Sequence, residues 1–413
     1  MKIKRSSIVI SFFIFLSFII GFIFNEDSLG GAKQDYLYHL DYFYKFNDHF
    51  FKTINNYGLD QESNSVRNSP IFYILGSLLL KIELPIIILK FLSVIIALLI
   101  CFTFYKCLVL KYGNKNSETY FLISTIILLS PTIRSLTFWP YPFLIATFLF
   151  SISIFFYLKF EKEKDYSIKF KYALLNTLFL ALSAYFTPNY GIFVIIFFIN
   201  FYKYFKNSYK SFLILLINFL ISIPALLFVI SHDFYLFNSE VFTISNIEKY
   251  NIANKIIIIT SFLFLFFIPF FELKYFKDKF SLKFNKKFYL LLFFILINIY
   301  FFNFLSGAGG GIFYHLSNIL NTNLIIYFVF ILTLYIFKVY NLYNFNNIII
   351  FSLLILYNLQ YTIYYKYFDP LLIIIFLFLI KNIKFDLSKL KIKLLIFYSI
   401  FLFINISKKF IIY

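Results

Sequence analysis

Charged residues are scarce in this chain of 413 residues, at 14% of the total, whereas a soluble domain carries about a quarter. Hydrophobic residues make up 61%, and apolar runs long enough to cross a bilayer recur from end to end. This shortage of charge argues against a soluble domain. Because the runs do not alternate with period two, they argue against a β-barrel and predict an all-α, polytopic transmembrane protein.

Cysteine is almost missing as well, and the two that occur, Cys101 and Cys107, lie in one apolar run. Their position gives neither the spacing of a zinc site nor a disulfide framework. The net charge of +19 raises the alternative of nucleic-acid binding. The lysines, however, lie in short loops between apolar runs, where they set membrane orientation and attract anionic lipid, so the bilayer rather than nucleic acid is the expected partner.

The apolar runs predict about thirteen crossings in a single integral domain over 1–413. The first run follows a basic amino terminus and no small-x-small cleavage site comes after it, which predicts an uncleaved helix with a cytoplasmic amino terminus. The predicted helices are 7–24, 85–107, 118–132, 141–158, 171–187, 189–205, 211–230, 256–273, 287–305, 320–338, 346–363, 369–382 and 393–407.

This topology puts most of the 38 Lys and Arg in inner loops, as the positive-inside rule requires. It holds only if the apolar segment 70–82 does not cross alone. That segment is short for a span and predicts a re-entrant or interfacial helix, or half of a broken pair. The first outer segment is then 25–69, and 231–255 and 306–319 are further outer loops.

The first outer segment is unusually acidic. Of the 19 Asp and Glu in the chain, it holds Glu26, Asp27, Asp35, Asp41, Asp48, Asp60 and Glu62. Aromatic and charged residues mix from Asp35 to Tyr44, which predicts an amphipathic helix on the membrane surface. Asp35 and His39 are four residues apart and share a helical face. A carboxylate held there is partly desolvated, so Asp35 and Asp27 are candidate general bases.

Cationic residues near the predicted outer surface are candidates for binding a phosphate, with a role as interfacial anchors as the alternative. They are Arg67, Arg134 beside Trp139, and Lys366. The glycine-rich loop 306–319 is not followed by the Gly-Lys-Ser/Thr of a nucleotide-binding loop. His232 and Asp233 have no third ligand spaced near them, and no metal site is predicted.

The basic amino terminus, the first helix and the acidic outer segment with a surface helix resemble the GT-C glycosyltransferase superfamily. Two stretches strengthen the resemblance: RNSPIFYILGSLL at 67–79, similar to the segment that returns to the membrane in that superfamily, and LLSPTIRS at 128–135. The likeness is to the bacterial branch related to the protein mannosyltransferases and the lipid A aminoarabinose transferases. It covers residues 1–200 best.

The resemblance implies a polyprenyl-phosphate sugar donor and a glycan, lipid or protein acceptor at the outer face of the bacterial inner membrane. An acidic residue of the first outer segment then acts as base or orients the acceptor, which here implies Asp35 first and Asp27 second. The usual Asp-Glu pair stands reversed, as Glu26-Asp27. The residues expected to bind substrate are Glu26, His39, Arg67, Arg134 and Lys366. No cofactor is implied, and dependence on a divalent metal stays open.

Two alternatives remain. An O-antigen or polysaccharide polymerase or ligase is also polytopic, but its longest outer loop is expected late in the chain and rich in arginine. A lipid-linked sugar flippase or transporter belongs to another class and is expected to carry ionisable groups near mid-membrane, where Lys90 is the main candidate.

Overall fold

The computed structural model of the protein describes residues 5–58, 68–232, 252–272, 286–305, 309–358, 362–383 and 385–411. Within these ranges every regular element is a helix and none is a strand, which confirms the all-α prediction. The chain divides into a first unit, Met1–Ser239 with Leu394–Tyr413, and a second unit, Glu240–Lys393.

Helices of very different lengths follow one another along both units. The first unit contains α1 (Arg5–Ile23), α2 (Ala32–Asp48), α3 (Phe50–Asn55), α4 (Ile71–Lys81), α5 (Ile87–Tyr112), α6 (Ser117–Ile126), α7 (Pro131–Phe138), α8 (Pro142–Lys162), α9 (Tyr166–Phe186), α10 (Val194–Phe205) and α11 (Tyr209–Ser231). The second unit contains α12 (Ile252–Phe267), α13 (Lys286–Tyr300), α14 (Gly311–Ile319), α15 (Leu324–Val339), α16 (Phe345–Tyr357) and α17 (Leu371–Phe378). The boundary between the units falls within α18 (Leu387–Ile411).

Several helices have the length and composition of membrane spans. Within the described ranges these six are Arg5–Ile23, Ile87–Tyr112, Pro142–Lys162, Tyr209–Ser231, Ile252–Phe270 and Leu387–Ser407. A bent pair, Asn114–Leu129 with Pro131–Phe138, gives a seventh if it counts as one span. The chain is therefore a polytopic helical membrane protein. The figure of about thirteen crossings stays a prediction, because other apolar helices are too short to qualify.

The predicted helix 118–132 is wrong as a single element. α6 passes into a short 3-10 turn at Ile127–Leu129, and the chain then bends by 61° into α7. Ser130 caps α7, because its hydroxyl accepts from the amide of Ile133 at 3.1 Å, and Pro131 begins the helix. Proline lacks an N–H and clashes with a preceding helical turn, so a new helix starts where the old one stops.

α1 runs beside α6 in the same direction. Near its beginning Ser7 donates to a carboxylate oxygen of Glu118 at 2.5 Å, and further along the hydroxyls of Ser11 and Thr125 are 3.1 Å apart. Small hydroxyl residues let membrane helices approach closely and bond across the contact. The end of α1 reaches α7, which lies beyond the bend.

α2 is the amphipathic helix predicted after α1. Its buried residues Tyr36, His39, Phe43 and Phe46 recur at helical spacing, while Leu37, Tyr38 and Tyr44 on the other face are exposed. The buried stripe packs on α4 through aromatic rings, and the ring of Phe46 stacks on that of Tyr73 at 6.5 Å between centroids. The position of α2 at a membrane surface stays a prediction.

The segment 70–82 forms the short helix α4 of 11 residues. At 1.5 Å per residue it covers about half of a bilayer core about 30 Å thick, so it is too short to cross by itself. Its re-entrant position stays a prediction. Among the predicted outer loops, 59–67, 233–251 and 306–308 lie outside the described residues. The described part of the predicted loop 306–319 is mostly helical, because α14 occupies Gly311–Ile319.

Close contact between α2 and α4 depends on Gly76, where a Cβ atom would stand 2.4 Å from the ring of Phe43. Alanine in place of glycine normally favours a helix interior by about 0.5–1 kcal/mol. Here the added carbon overpacks a filled aromatic cluster, which costs about 1–3 kcal/mol. We therefore expect Gly76→Ala to lower the thermal midpoint of the protein in detergent.

Gly191→Ala is the matched control, since its nearest neighbour would be the Cβ of Ala184 at an ordinary 3.4 Å. This variant should be at least as stable as the wild type. If Gly76→Ala is equally stable, α2 and α4 do not pack through this glycine.

Candidate functional site

The chain turns sharply where α1 ends. The amide of Glu26 donates to the carbonyl of Gly21 at 2.9 Å, and the amide of Asn25 donates to that of Phe22 at 3.1 Å. Asn25 has a φ of 50°, in the left-handed region that asparagine tolerates better than most residues. This is the Schellman arrangement that closes many helices. It directs Glu26 back toward α1 instead of outward into the following segment.

Glu26 forms a bidentate ion pair with Arg134 of α7. Nε of Arg134 donates to Oε1 at 2.9 Å, and Nη2 donates to Oε2 at 2.5 Å. The guanidinium also donates to the carbonyl and hydroxyl of Ser17 on α1, at 2.9 and 3.3 Å. Arg134 is only 2% exposed. A charge buried this deeply needs a partner, and the planar fork of arginine matches a carboxylate.

Glycine and aromatic residues make room for this ion pair. A Cβ at Gly21 would lie 2.4 Å from Nη2 of Arg134 and 2.6 Å from Oε2 of Glu26. The rings of Phe18 and Phe138 lie 6.0 and 5.7 Å from the guanidinium carbon, within the range of cation–π attraction. Any side chain at Gly21 would occupy the space of the ion pair.

Asp27 starts α2. Its two carboxylate oxygens accept from the amides of Gly30, Ala32 and Lys33 at 3.0 to 3.3 Å. The amides of Ala32 and Lys33 are the first of α2 and have no partner within the helix, and that of Gly30 lies in the turn before it. A carboxylate at this end is also favoured by the helix dipole. Asp27 is 7% exposed, and its carboxylate oxygens are occupied by hydrogen bonds from backbone amides.

Ser28 fastens the same turn to α7. Its hydroxyl bonds the carbonyl of Pro131 and lies 3.0 Å from the hydroxyl of Ser135. Ser135 in turn accepts from the amide of Leu29 at 3.0 Å. Glu26 thus pairs with Arg134, Asp27 accepts from backbone amides around the start of α2, and Ser28 bonds α7.

Two ammonium groups gather at Trp139, immediately beyond α7. Nζ of Lys90, in the first turn of α5, lies 4.4 Å from the ring centroid and donates to Oδ1 of Asn25 at 2.9 Å. Nζ of Lys33, in the first turn of α2, lies 5.8 Å from the same ring. The indole is held by its own N–H, which donates to the carbonyl of Glu26 at 3.2 Å. Like charges brought together over one ring favour a bound anion.

Tyr36 borders the same tryptophan, at 5.9 Å between ring centroids. It is 4% exposed, and within the described part of the chain its hydroxyl has no hydrogen-bond partner. Burial raises the pKa of Tyr36 to about 12, and the nearby Tyr44 makes a smaller contribution in the same direction. The hydroxyl therefore remains protonated and able to donate at any physiological pH. A buried hydroxyl without a partner is uncommon and requires a reason.

The structure separates the predicted site residues into several environments. Asp35 is half-exposed in the first turn of α2, and His39 is buried one turn later with its Nδ1 3.0 Å from the hydroxyl of Tyr73. Lys366 belongs to the second unit, where its ammonium group lies over the rings of Tyr364 and Tyr367 at 5.3 and 5.6 Å. Arg67 lies outside the described residues.

Sequence reasoning missed Lys33 and Tyr36 and considered Lys90 only as a transporter residue. No motif joins them, because they come from two helices and meet at a tryptophan from a third part of the chain. The signal in the sequence was the single Trp of the chain, next to Arg134. Within the described ranges, no cluster of three or more His, Cys, Asp or Glu is arranged to hold a metal ion.

Comparison of the chain with protein-family models, with curated proteins and with solved structures gives no match.

Removing one partner of the ion pair should destabilise the first unit. Both Glu26→Leu and Arg134→Leu leave an unpaired charge in a buried place, which costs about 3–5 kcal/mol. The double variant Glu26→Leu/Arg134→Leu removes both charges and should recover part of that loss. Unfolding in detergent, followed by circular dichroism, measures this as a double-mutant cycle.

The control is the exposed pair of Asp41 and Lys45, 2.8 Å apart with both side chains more than half exposed. Removing it should cost no more than about 0.5 kcal/mol. Additive effects of the two leucine substitutions would contradict a direct ion pair.

Proposed function

We propose that this protein is a membrane glycosyltransferase of the GT-C type that transfers a sugar from a polyprenyl-phosphate donor to an acceptor hydroxyl. The observation that supports the proposal most directly is the cationic cluster of Lys33 and Lys90 over Trp139. It adjoins the helical turn that carries Asp35. The first turn of α2 carries both Lys33 and Asp35, and Lys90 joins Lys33 at Trp139 from α5.

The lysines suit the donor phosphate. A polyprenyl phosphate gains negative charge as it leaves the sugar, and ammonium groups already in position stabilise that charge in the transition state. The Tyr36 hydroxyl, buried and without a partner in the described structure, adds a neutral donor beside them. Exposed apolar residues along α1, such as Phe12, Phe13 and Ile20, offer a surface on which the lipid tail can lie.

Asp35 is the carboxylate that we assign to the acceptor. In an inverting displacement the acceptor oxygen forms a bond to the anomeric carbon, and the bond from that carbon to the phosphate oxygen breaks. The phosphate keeps the electron pair, and the proton of the acceptor hydroxyl passes to Asp35. Asp27 ranks second because its oxygens already accept three backbone amides.

Glu26 and Arg134 act by positioning in this proposal. The guanidinium is occupied by Glu26 and Ser17 and is 2% exposed, so it fixes the turn that leads to α2. His39 holds α2 against Tyr73 of α4. Arg67 and Lys366 remain further candidates for the donor phosphate. The active site would face the periplasm of a bacterial inner membrane, with the amino terminus in the cytoplasm.

Two observations bear on the alternatives. No arginine follows Arg134 in the sequence, which disfavours a polymerase or ligase with an arginine-rich late loop. Lys90, the main candidate for a transporter, lies in the first turn of α5 rather than at mid-span. A proton or ion pathway would require an ionisable group deeper in the membrane.

Asp35→Asn should reduce sugar transfer about 10²–10⁴-fold without changing the thermal midpoint, because an amide cannot accept the proton. The measurement is transfer by the protein in proteoliposomes supplied with a panel of polyprenyl-phosphate sugars, together with a profile of cell-surface glycans. Asp41→Asn on the same helix is the matched control and should retain activity.

Asp27→Asn tests the second candidate. It should lower the thermal midpoint, because the new amide nitrogen faces backbone N–H groups that need an acceptor. Activity should fall only in proportion to folded protein. If neither Asp35→Asn nor Asp27→Asn alters transfer or surface glycans, the protein is not this kind of glycosyltransferase.

Lys33→Ala and Lys90→Ala should each raise the KM for the donor about tenfold or more, the loss expected for a charge-assisted contact to a phosphate. Lys45→Ala, which removes an exposed lysine from the other end of α2, is the control. An unchanged KM in both site variants would place the donor phosphate elsewhere.

A further inference from the structure

The second unit contains an open cavity of about 540 Å³ beside α14 and the turn that follows it. This is within the size range of small-molecule sites. Tyr314 and Ser317 line it from α14, and Asn318, Asn321, Thr322 and Asn323 line it from the end of that helix and the turn that follows. Leu305 lies at one side. The lining described therefore combines polar and apolar surface in about equal parts and carries no formal charge.

The turn that carries the asparagines is fixed by hydrogen bonds. The amide of Thr322 donates to the carbonyl of Ser317 at 3.0 Å, and the amide of Asn321 donates to that of Asn318 at 3.0 Å. Asn321 has a φ of 50°, so this is again a Schellman closure. The hydroxyl of Ser317 accepts from the amide of Ile326 in α15 at 3.1 Å. The cavity wall is therefore held in place before any ligand arrives.

The backbone conformation does not require asparagine at either position 318 or position 321. A glycine would adopt the left-handed conformation of Asn321 more easily than asparagine, and Asn318 has an ordinary helical backbone. Both residues are exposed, and their carboxamides border the cavity. Each carboxamide offers a donor and an acceptor side by side.

Exposed apolar residues adjoin the lining residues along the chain. Leu305, Ile319, Leu320 and Leu324 are 83%, 75%, 61% and 71% exposed. In a membrane protein such side chains contact lipid or the interface between lipid and water. A cavity that offers amides and hydroxyls beside apolar surface matches an amphiphile whose head group is polar and whose tail lies in the bilayer.

We infer that this cavity binds an uncharged, hydroxyl-rich carbohydrate at the membrane surface. Sugar hydroxyls donate and accept at once, which matches carboxamides and the hydroxyl of Thr322. A phosphate or carboxylate ligand would find no ammonium or guanidinium group among the described lining residues. The lining residues that the structure describes include no carboxylate either, and the inference is one of binding alone. This inference does not depend on the transfer reaction proposed for the first unit.

The test uses the full-length protein in phosphatidylcholine nanodiscs. Maltotriose is added as a free uncharged sugar, or monoglucosyl diacylglycerol is included in the bilayer as a glycolipid, and phosphatidylglycerol serves as an anionic comparison. Hydrogen exchange of the backbone amides at 311–326 reports occupancy, and its dependence on concentration gives an apparent Kd. We expect protection by an uncharged sugar and not by phosphatidylglycerol.

The test variant is Asn318→Ala/Asn321→Gly. Alanine suits the helix at 318 and glycine suits the left-handed position at 321, so both carboxamides are removed while the backbone is kept. The apparent Kd should rise about tenfold or more with an unchanged thermal midpoint. Asn55→Ala, at an exposed asparagine that ends α3 in the first unit, is the control.

Each result has a defined meaning. Protection by maltotriose indicates a soluble glycan as the source of the sugar, and protection by the glycolipid alone indicates a membrane lipid. Either result supports the inference if the protection is weaker in the double variant than in the wild type. Three outcomes overturn the inference. Protection could be as strong in the double variant as in the wild type, it could be as strong with phosphatidylglycerol as with a sugar, or it could be missing with both sugars. All of these readouts are independent of catalysis, so a failure here is distinct from a failure of the Asp35 prediction.

Discussion

The buried ion pair of Glu26 and Arg134 is the constraint on which the first unit depends. A guanidinium that is 2% exposed cannot remain without a counter-charge, so the chain must bring a carboxylate to it. The turn after α1 does this at Asn25, and Gly21 leaves the space that the pair fills. The bend before α7 matters for the same reason, because it sets Arg134 against the end of α1.

This constraint also shapes the candidate site. With Glu26 fixed, Asp27 reaches the first amides of α2, and that helix presents Lys33 and Tyr36 to Trp139. Glu26 is thereby paired with Arg134, and Asp27 is bonded to backbone amides. Asp35 is the next carboxylate along the chain, and it is half-exposed on α2. Catalytic groups need support of this kind, because small displacements of a reacting group cost much of its effect.

Continuous apolar runs predicted individual helices well. The expected 7–24, 141–158 and 211–230 correspond to Arg5–Ile23, Pro142–Lys162 and Tyr209–Ser231. Hydropathy failed at 118–132, since it averages over the Ser130–Pro131 step that ends one helix and caps the next. Hydropathy also gave no ranking of the acids, and the order of Asp35 before Asp27 came from the resemblance to a family rather than from their partners.

Membrane class, helical content and the concentration of acids after α1 can be predicted from the sequence alone, because composition and periodicity are local properties of the chain. Which of those acids is paired, which one bonds the start of α2 and which is half-exposed depends on how the helices pack. The physical reason is distance along the chain: Glu26 and Arg134 are 108 residues apart. Electrostatic energy depends on separation in space, and only the folded packing of α1, α5 and α7 brings these charges together.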